Sequence, residues 1–212
     1  MDRTELIKRA AGPLPPFIKE LRAAIRAGQK TQTRRMMKLQ PESVGALDVF
    51  PRGELVYIWP HHNGESYVDH FVKCNYGSPG QIRYLREPIY KGPGGFAHYV
   101  DDDVMVWDGL TGQRVTWRWK PKTLSQLYMP KEMARTFVQL DAIRAERLQE
   151  ISETDCKAEG VVAWHETVTG TVYKPEFMML WDSINAKRGY PWAGNWWVWV
   201  LIFGLVGGHD GN

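Results

Sequence analysis

Cysteine is nearly absent from this 212-residue chain: Cys74 and Cys156 are the only two, too few for a disulfide framework and in keeping with a reducing compartment. Long apolar runs are missing as well. The most hydrophobic stretch, Trp196 to Val206, is too short to cross a bilayer and reads as a buried strand. The first residues, Met1-Asp2-Arg3-Thr4-Glu5, lack the apolar core of a secretion signal, so a soluble cytoplasmic protein is expected. Charge of one sign is not in large excess either. The net charge of +3 gives no global argument for a polyanionic partner.

What the chain does have is apolar residues enough for a core (43%) and an unusual aromatic load of 10 Trp, 9 Tyr and 7 Phe, which serves packing and base stacking alike. The charge is also unevenly placed. Between Lys19 and Lys38 seven Lys or Arg face one acid, Glu20, so this window carries +6 and the remainder of the chain sums to −3.

Phe17, Leu21, Ala24 and Ile25 recur at helical spacing behind Pro15-Pro16, and Gly28 stands just past the end, which predicts an amphipathic helix over 16–27. Lys19, Arg22 and Arg26 form a basic stripe on its other face. Strands are predicted at 55–59, 67–73, 81–87, 136–147 and 196–203, and helices at 152–160 and 175–187. Residues 1–14 read as a flexible N-terminus and 207–212 as a polar tail, with one domain over 15–206. Elaborations fall at about 43–73 and 91–127, the second carrying a hairpin. The interspersed pattern is α+β without βαβ regularity.

The densest chemistry follows the first helix, in Gly28-Gln29-Lys30-Thr31-Gln32-Thr33-Arg34-Arg35. This segment resembles the signature of the ASCH family, in the PUA-like superfamily: Gly-x-Lys-x-x-Thr/Glu-x-Arg, matched by Gly28, Lys30, Thr33 and Arg35. The resemblance continues through Leu85-Arg86-Glu87, Met129-Pro130, Leu148 to Ser152, Ala158-Glu159-Gly160, Leu180 to Ile184 and Asn195 to Phe203. It is similar in this to ASCH-like proteins of bacteriophages and prophages. The resemblance implies a small mixed β-barrel with flanking helices. One branch of the family is a bacterial amidohydrolase of N(4)-acetylcytidine, whose lysine, threonine and strand-borne glutamate would correspond to Lys30, Thr33 and Glu87.

That chemistry is coherent in the residues themselves. A neutral Lys30 amine can take the proton of Thr33, provided that burial and the neighbouring Arg34 and Arg35 depress its pKa. Glu87 can orient the lysine or relay a proton, and Arg34 or Arg35 can stabilise an oxyanion. Tyr84 and Arg86 are the expected base-side contacts, and Lys19, Arg22, Arg26 and Lys38 the expected phosphate contacts. No metal and no cofactor is expected: His61, His62, His70 and Cys74 lack zinc spacing, and Asp101-Asp102-Asp103 reads as an acidic loop tip. Trp117 and Trp119 fall on one side of a strand, where partial burial and base stacking are both open.

Three functions follow. The first is amidohydrolysis of an acylated nucleobase; the second a non-catalytic reader of RNA or modified DNA; the third a ribonuclease using Lys30 and Glu87 on a 2′-hydroxyl. Lys30, Arg34, Arg35 and Thr33 also fit a solvated basic loop with a turn-capping threonine. Expected partners are a modified nucleoside, RNA or modified DNA, and no membrane. The location would be the host cytoplasm if the chain is phage-encoded.

Overall fold

The computed structural model describes residues 1–38, 40, 47–49, 55–62, 67–163, 165–167 and 170–208. Thirteen strands occur among the described residues: β1 Gly12–Pro13, β2 Gln32–Met36, β3 Leu47–Val49, β4 Leu55–His62, β5 Tyr67–Lys73, β6 Ile82–Tyr84, β7 Ile89–Lys91, β8 Ala97–Tyr99, β9 Thr123–Leu124, β10 Thr136–Arg147, β11 His165–Thr167, β12 Gly170–Val172 and β13 Trp197–Gly208. Four α-helices accompany them: α1 Arg3–Arg9, α2 Lys19–Arg26, α3 Glu153–Ala158 and α4 Lys174–Asn185. The chain is therefore mixed α+β, and no helix among the described residues is long and apolar enough to cross a membrane.

Two compact units divide the chain, one built from residues 1–28, 80–140 and 204–212, the other from 29–79 and 141–203. Strands β10 and β13 are hydrogen-bonded neighbours, and each contributes residues to both units.

In the first unit the sheet order is β1-β6-β10. β1 runs parallel to β6, and β10 runs antiparallel to it with Phe137 opposite Tyr84. Leu6, Ile7, Ile82, Ile89, Tyr99 and Phe137 are among the buried residues of its core, with Trp117 and Trp119 partly buried against it. The region expected as a flexible terminus holds α1. Asp2 caps this helix by accepting from the Glu5 N–H at 2.8 Å, and Leu6 and Ile7 are buried. A helix of seven residues with two adjacent apolar positions shows no periodic stripe, which is why the sequence does not announce it. The 91–127 excursion contains β8 and β9, which flank β7 at its start in the order β8-β7-β9, antiparallel throughout.

In the second unit β2 pairs antiparallel with β13, Thr33 opposite Leu201 and Arg34 opposite Val200. β3, β4 and β5 form a separate antiparallel sheet. The core gathers Leu148, Ile151, Cys156, Phe177, Trp181 and Val198 beneath α3 and α4. The predicted strands 67–73 and 136–147 coincide with β5 and β10, and the strand 55–59 and the helices 152–160 and 175–187 are found in β4, α3 and α4 with shifted ends.

Two expectations need correction. The barrel is not closed: β1 and β2 are the edges of the five-stranded sheet. β1 is two residues long and ends on Pro13, which has no N–H to offer a further strand. The strand expected over 81–87 covers only Ile82–Tyr84, so Glu87 lies beyond its end.

Candidate functional site

Lys30 lies between α2 and β2, on a short connection that begins with Gly28 at φ 69°, the left-handed conformation that glycine adopts without penalty. Backbone hydrogen bonds then pin the segment in the second unit. The Thr31 N–H donates to Ala158 O at 2.8 Å, and Thr31 O accepts from the Phe203 N–H at 2.8 Å.

So held, Lys30 is buried, and its Nζ donates to both the carboxylate Oε2 and the main-chain carbonyl of Glu159, each at 2.7 Å. The other oxygen, Oε1, accepts from Arg34 Nη1 at 3.0 Å. Arg34 also reaches Glu146 through Nε at 2.9 Å and Asp155 through Nη2 at 3.0 Å. Gln32 Nε2 donates to Asp155 Oδ1 at 2.8 Å, and Arg144 bridges Glu146 and Asp155 at 2.9 and 2.7 Å. Three carboxylates thus face Lys30, Arg34 and Arg144, a charge-balanced cluster in which every ion has a partner, as burial demands.

Burial pushes the pKa of Lys30 down, against the upward pull of Glu159, and the positive Arg35 and Arg34 add to the fall. For Glu159 burial acts upward, but Lys30 and Arg34 outweigh it and hold the carboxyl below its ordinary range. The lysine amine is therefore easier to deprotonate than an exposed one, while its carboxylate partner stays ionised.

Side chains alternate along β2. Gln32 and Arg34 reach Asp155 from one face; Thr33 and Arg35, one residue out of phase, lie on the other. Thr33 is buried. Burial pushes the pKa of the Arg35 guanidinium down; Tyr76 and Glu159 oppose this and the like charge of Arg188 reinforces it. Lys38 is exposed.

Glu87 belongs to the first unit and sits in a cluster of its own. It is completely buried, with Arg26 Nη1 at 2.5 Å and Arg135 Nη2 at 2.7 Å from Oε1, and Arg135 Nε at 2.8 Å from Oε2. Arg22, buried, makes two contacts with Asp101, at 2.8 and 2.6 Å, and Arg26 also approaches Asp101. Two members of the basic stripe on α2 are thus engaged with internal carboxylates, while Lys19 is exposed. Tyr84 packs in the core, where burial raises its phenol pKa, and Arg86 donates to Leu127 O at 2.7 Å.

The structure therefore joins Lys30 and Arg34 to Glu159, Glu146 and Asp155, and joins Glu87, Arg22 and Arg26 to Arg135 and Asp101. The sequence reading does not single out Glu159, Glu146, Asp155, Asp101 or Arg135 as partners. A usable signal exists for two of them: Asp155 and Glu159 are four apart, so one helical turn puts both on the same side of α3. His61, His62 and His70, weighed as metal ligands, have side chains outside the described residues. Among the described residues no group of three or more His, Cys, Asp or Glu is arranged to hold a metal ion.

No family model and no curated protein matches the chain. A solved structure, protein EF3133 from Enterococcus faecalis V583 of family-model DUF984, is similar over 94% of this chain and 84% of its own, at 11% identity and a TM-score of 0.39.

Proposed function

We propose that the chain is an ASCH-like, metal-independent amidohydrolase that removes an acyl group from the exocyclic amine of a modified nucleobase such as N(4)-acetylcytidine. The observation that carries this reading is the state of Lys30. It is a fully buried amine with a lowered pKa, oriented by an ionised carboxylate and placed three residues before a buried threonine.

In this reading Lys30, neutral, accepts the proton of Thr33 Oγ1 as that oxygen attacks the acyl carbon. The Arg35 guanidinium stabilises the developing oxyanion. Lys30 returns the proton to the departing exocyclic amine, leaving an acyl ester on Thr33. Water, deprotonated in turn by Lys30, then hydrolyses the ester to a carboxylate and free threonine. Glu159 takes the orienting role that the sequence reading gives to Glu87. It touches Lys30, whereas both oxygens of Glu87 are bonded to arginines.

The test is turnover of N(4)-acetylcytidine and a panel of N(4)-acylated cytidines, followed by mass spectrometry. Lys30→Gln and Thr33→Ala, each checked for folding by circular dichroism, are each expected to lower kcat/KM by about 10²–10⁴-fold. The wild-type rate should rise with pH as Lys30 loses its proton. A peptide containing Thr33 should carry the acyl group after acid quench. No turnover across the panel by folded wild-type protein removes the reading.

A further inference from the structure

Within the 91–127 excursion of the first unit, three chain segments are tied in a ring of backbone hydrogen bonds. Ala97 N–H donates to Val115 O at 2.8 Å, Val115 N–H to Val106 O at 3.0 Å, and Val106 N–H to Ala97 O at 2.8 Å. All three side chains are buried, so alternation turns their neighbours the other way. Phe96 is bridged to Thr116 and Trp107 to Arg114 on that outer side.

The outer face has a specific chemistry. The Arg114 guanidinium lies between two rings, its Cζ 5.5 Å from the centroid of Phe96 and 5.8 Å from that of Trp107. Trp107 is 41% exposed, and so presents an open ring beside the Arg114 guanidinium. Further along, Arg118 lies 5.2 Å over the ring of Trp119. Residues 113–122 hold four cations, Arg114, Arg118, Lys120 and Lys122, and no acid, and all four cations are exposed.

The acids of the excursion are engaged elsewhere. Asp101 is paired with Arg22 and Arg26, and Asp102 with Arg135. Asp103 is bonded to Tyr90 and His98, and Asp108 accepts from the backbone N–H groups of Leu110 and Thr111. Among the described residues none of the four cations is in an ion pair. Their charge is available to an external anion.

We infer that this face binds single-stranded nucleic acid, with bases stacking on Trp107 and phosphates meeting Arg114, Arg118, Lys120 and Lys122. An exposed ring, Trp107, set among cations that lack acid partners matches a flexible polyanion whose bases are unstacked. A duplex hides the faces of its bases, so Trp107 would have no ring to stack on and only the phosphate contacts would remain for this face. The inference does not depend on hydrolysis at Lys30.

The probes are fluorescein-labelled RNA and DNA single strands of about 20 mixed-sequence nucleotides, long enough for a typical site. Their duplexes and heparin serve as comparisons, and the readout is fluorescence anisotropy with the full chain. Single strands are expected to bind more tightly than duplex. Trp107→Ala is expected to weaken single-strand binding roughly tenfold, since stacking on one ring typically contributes about 5-fold to 150-fold. Arg114→Lys, which keeps the charge but loses the planar guanidinium, should weaken it less but measurably.

Joint replacement Arg118→Ala with Lys120→Ala should reduce the salt slope by about 1.4, as two phosphate contacts are lost. These side chains are exposed, and an unchanged thermal midpoint shows that the fold is kept. Absence of binding at about 50 mM salt overturns the inference. So does tighter binding of duplex, indifference to Trp107→Ala, or heparin binding with the same variant profile, which would mark a general polyanion surface. Turnover of free N(4)-acetylcytidine by Trp107→Ala at the wild-type rate separates this face from the Lys30 site.

Discussion

The ammonium of Lys30 is held twice by one residue, Glu159, through its carboxylate and through its main-chain carbonyl, at 2.7 Å each. The two contacts answer differently to mutation. Glu159→Gln leaves the carbonyl in place but removes the charge that pulls the lysine pKa up. Lys30, already lowered by burial, then falls further and becomes neutral at lower pH. For a base whose folded pKa lies below its ordinary value of 10.5, the unfolded chain holds more protons between the two values, so stability rises with pH across that interval. Urea unfolding of Glu159→Gln from pH 6 to pH 10 should show a deficit that shrinks as pH rises. Lys30→Met strands the Glu159 carboxylate instead, with Arg34 still on Oε1, and should cost about 3 kcal/mol at neutral pH.

The acidic limb has the opposite cause. Burial acts upward on Glu159, Asp155 and Asp101, yet their cationic neighbours hold all three below their ordinary values. Their stabilising contribution is complete above those ordinary values, 4.5 for the glutamate and 3.8 for the aspartates, and is lost as pH falls through the folded values. Urea midpoints should therefore be insensitive to these groups above pH 5 and drop steeply below pH 4. Asp155→Asn should flatten that descent.

The elements that local patterning specifies are the ones legible in the sequence. β10 carries buried Phe137, Val138, Leu140 and Ile143, α4 has Phe177 and Trp181 four apart, and Gly28 ends the helix before β2. The buried state of Lys30 is not among them: a lysine in a short connection is exposed by default, and only the fold closes over this one. Partner choice is not local either, and periodicity does not reach it. Arg22 and Arg26 have the spacing of a solvated stripe, and only the fold, by bringing Asp101 and Glu87 against α2, turns them inward. Likewise Glu159 meets Lys30 across 129 positions, a distance no periodicity spans.

Both thiols are internal. Cys156 is fully buried, and burial, with Glu153 and Glu159 adding to it against Arg34 and Lys174, leaves its pKa pushed up to about 12. Cys74 is buried as well. Thiolate is the reactive form, so the native protein at pH 8 should show no fast reaction with an aromatic disulfide reagent, and the guanidinium-unfolded chain should titrate two thiols. Rapid labelling of one native thiol would mean that a core segment opens on the timescale of the assay.

Under the proposed function Glu87 is a structural carboxylate, and Glu159 is the one that orients the reactive amine. Its oxygens are bonded to Arg26 and Arg135, and Arg135 is held further by Asp102 at 2.7 Å and by the ring of Tyr99, 3.8 Å from its Cζ. Glu87→Gln keeps the size of the side chain but sets an amide N–H₂ against arginine donors and leaves the arginines short of one negative charge. Breaking a buried pair of this kind costs about 3–5 kcal/mol, which for a chain of this size lowers Tm by roughly 10 °C. Because the carboxylate on Lys30 is Glu159, kcat/KM for N(4)-acetylcytidine at a temperature well below Tm should stay within about twofold of wild type, as expected for a residue outside the transition state. A Glu87→Gln protein with unchanged Tm and no turnover would place Glu87 in the reaction and overturn its structural role.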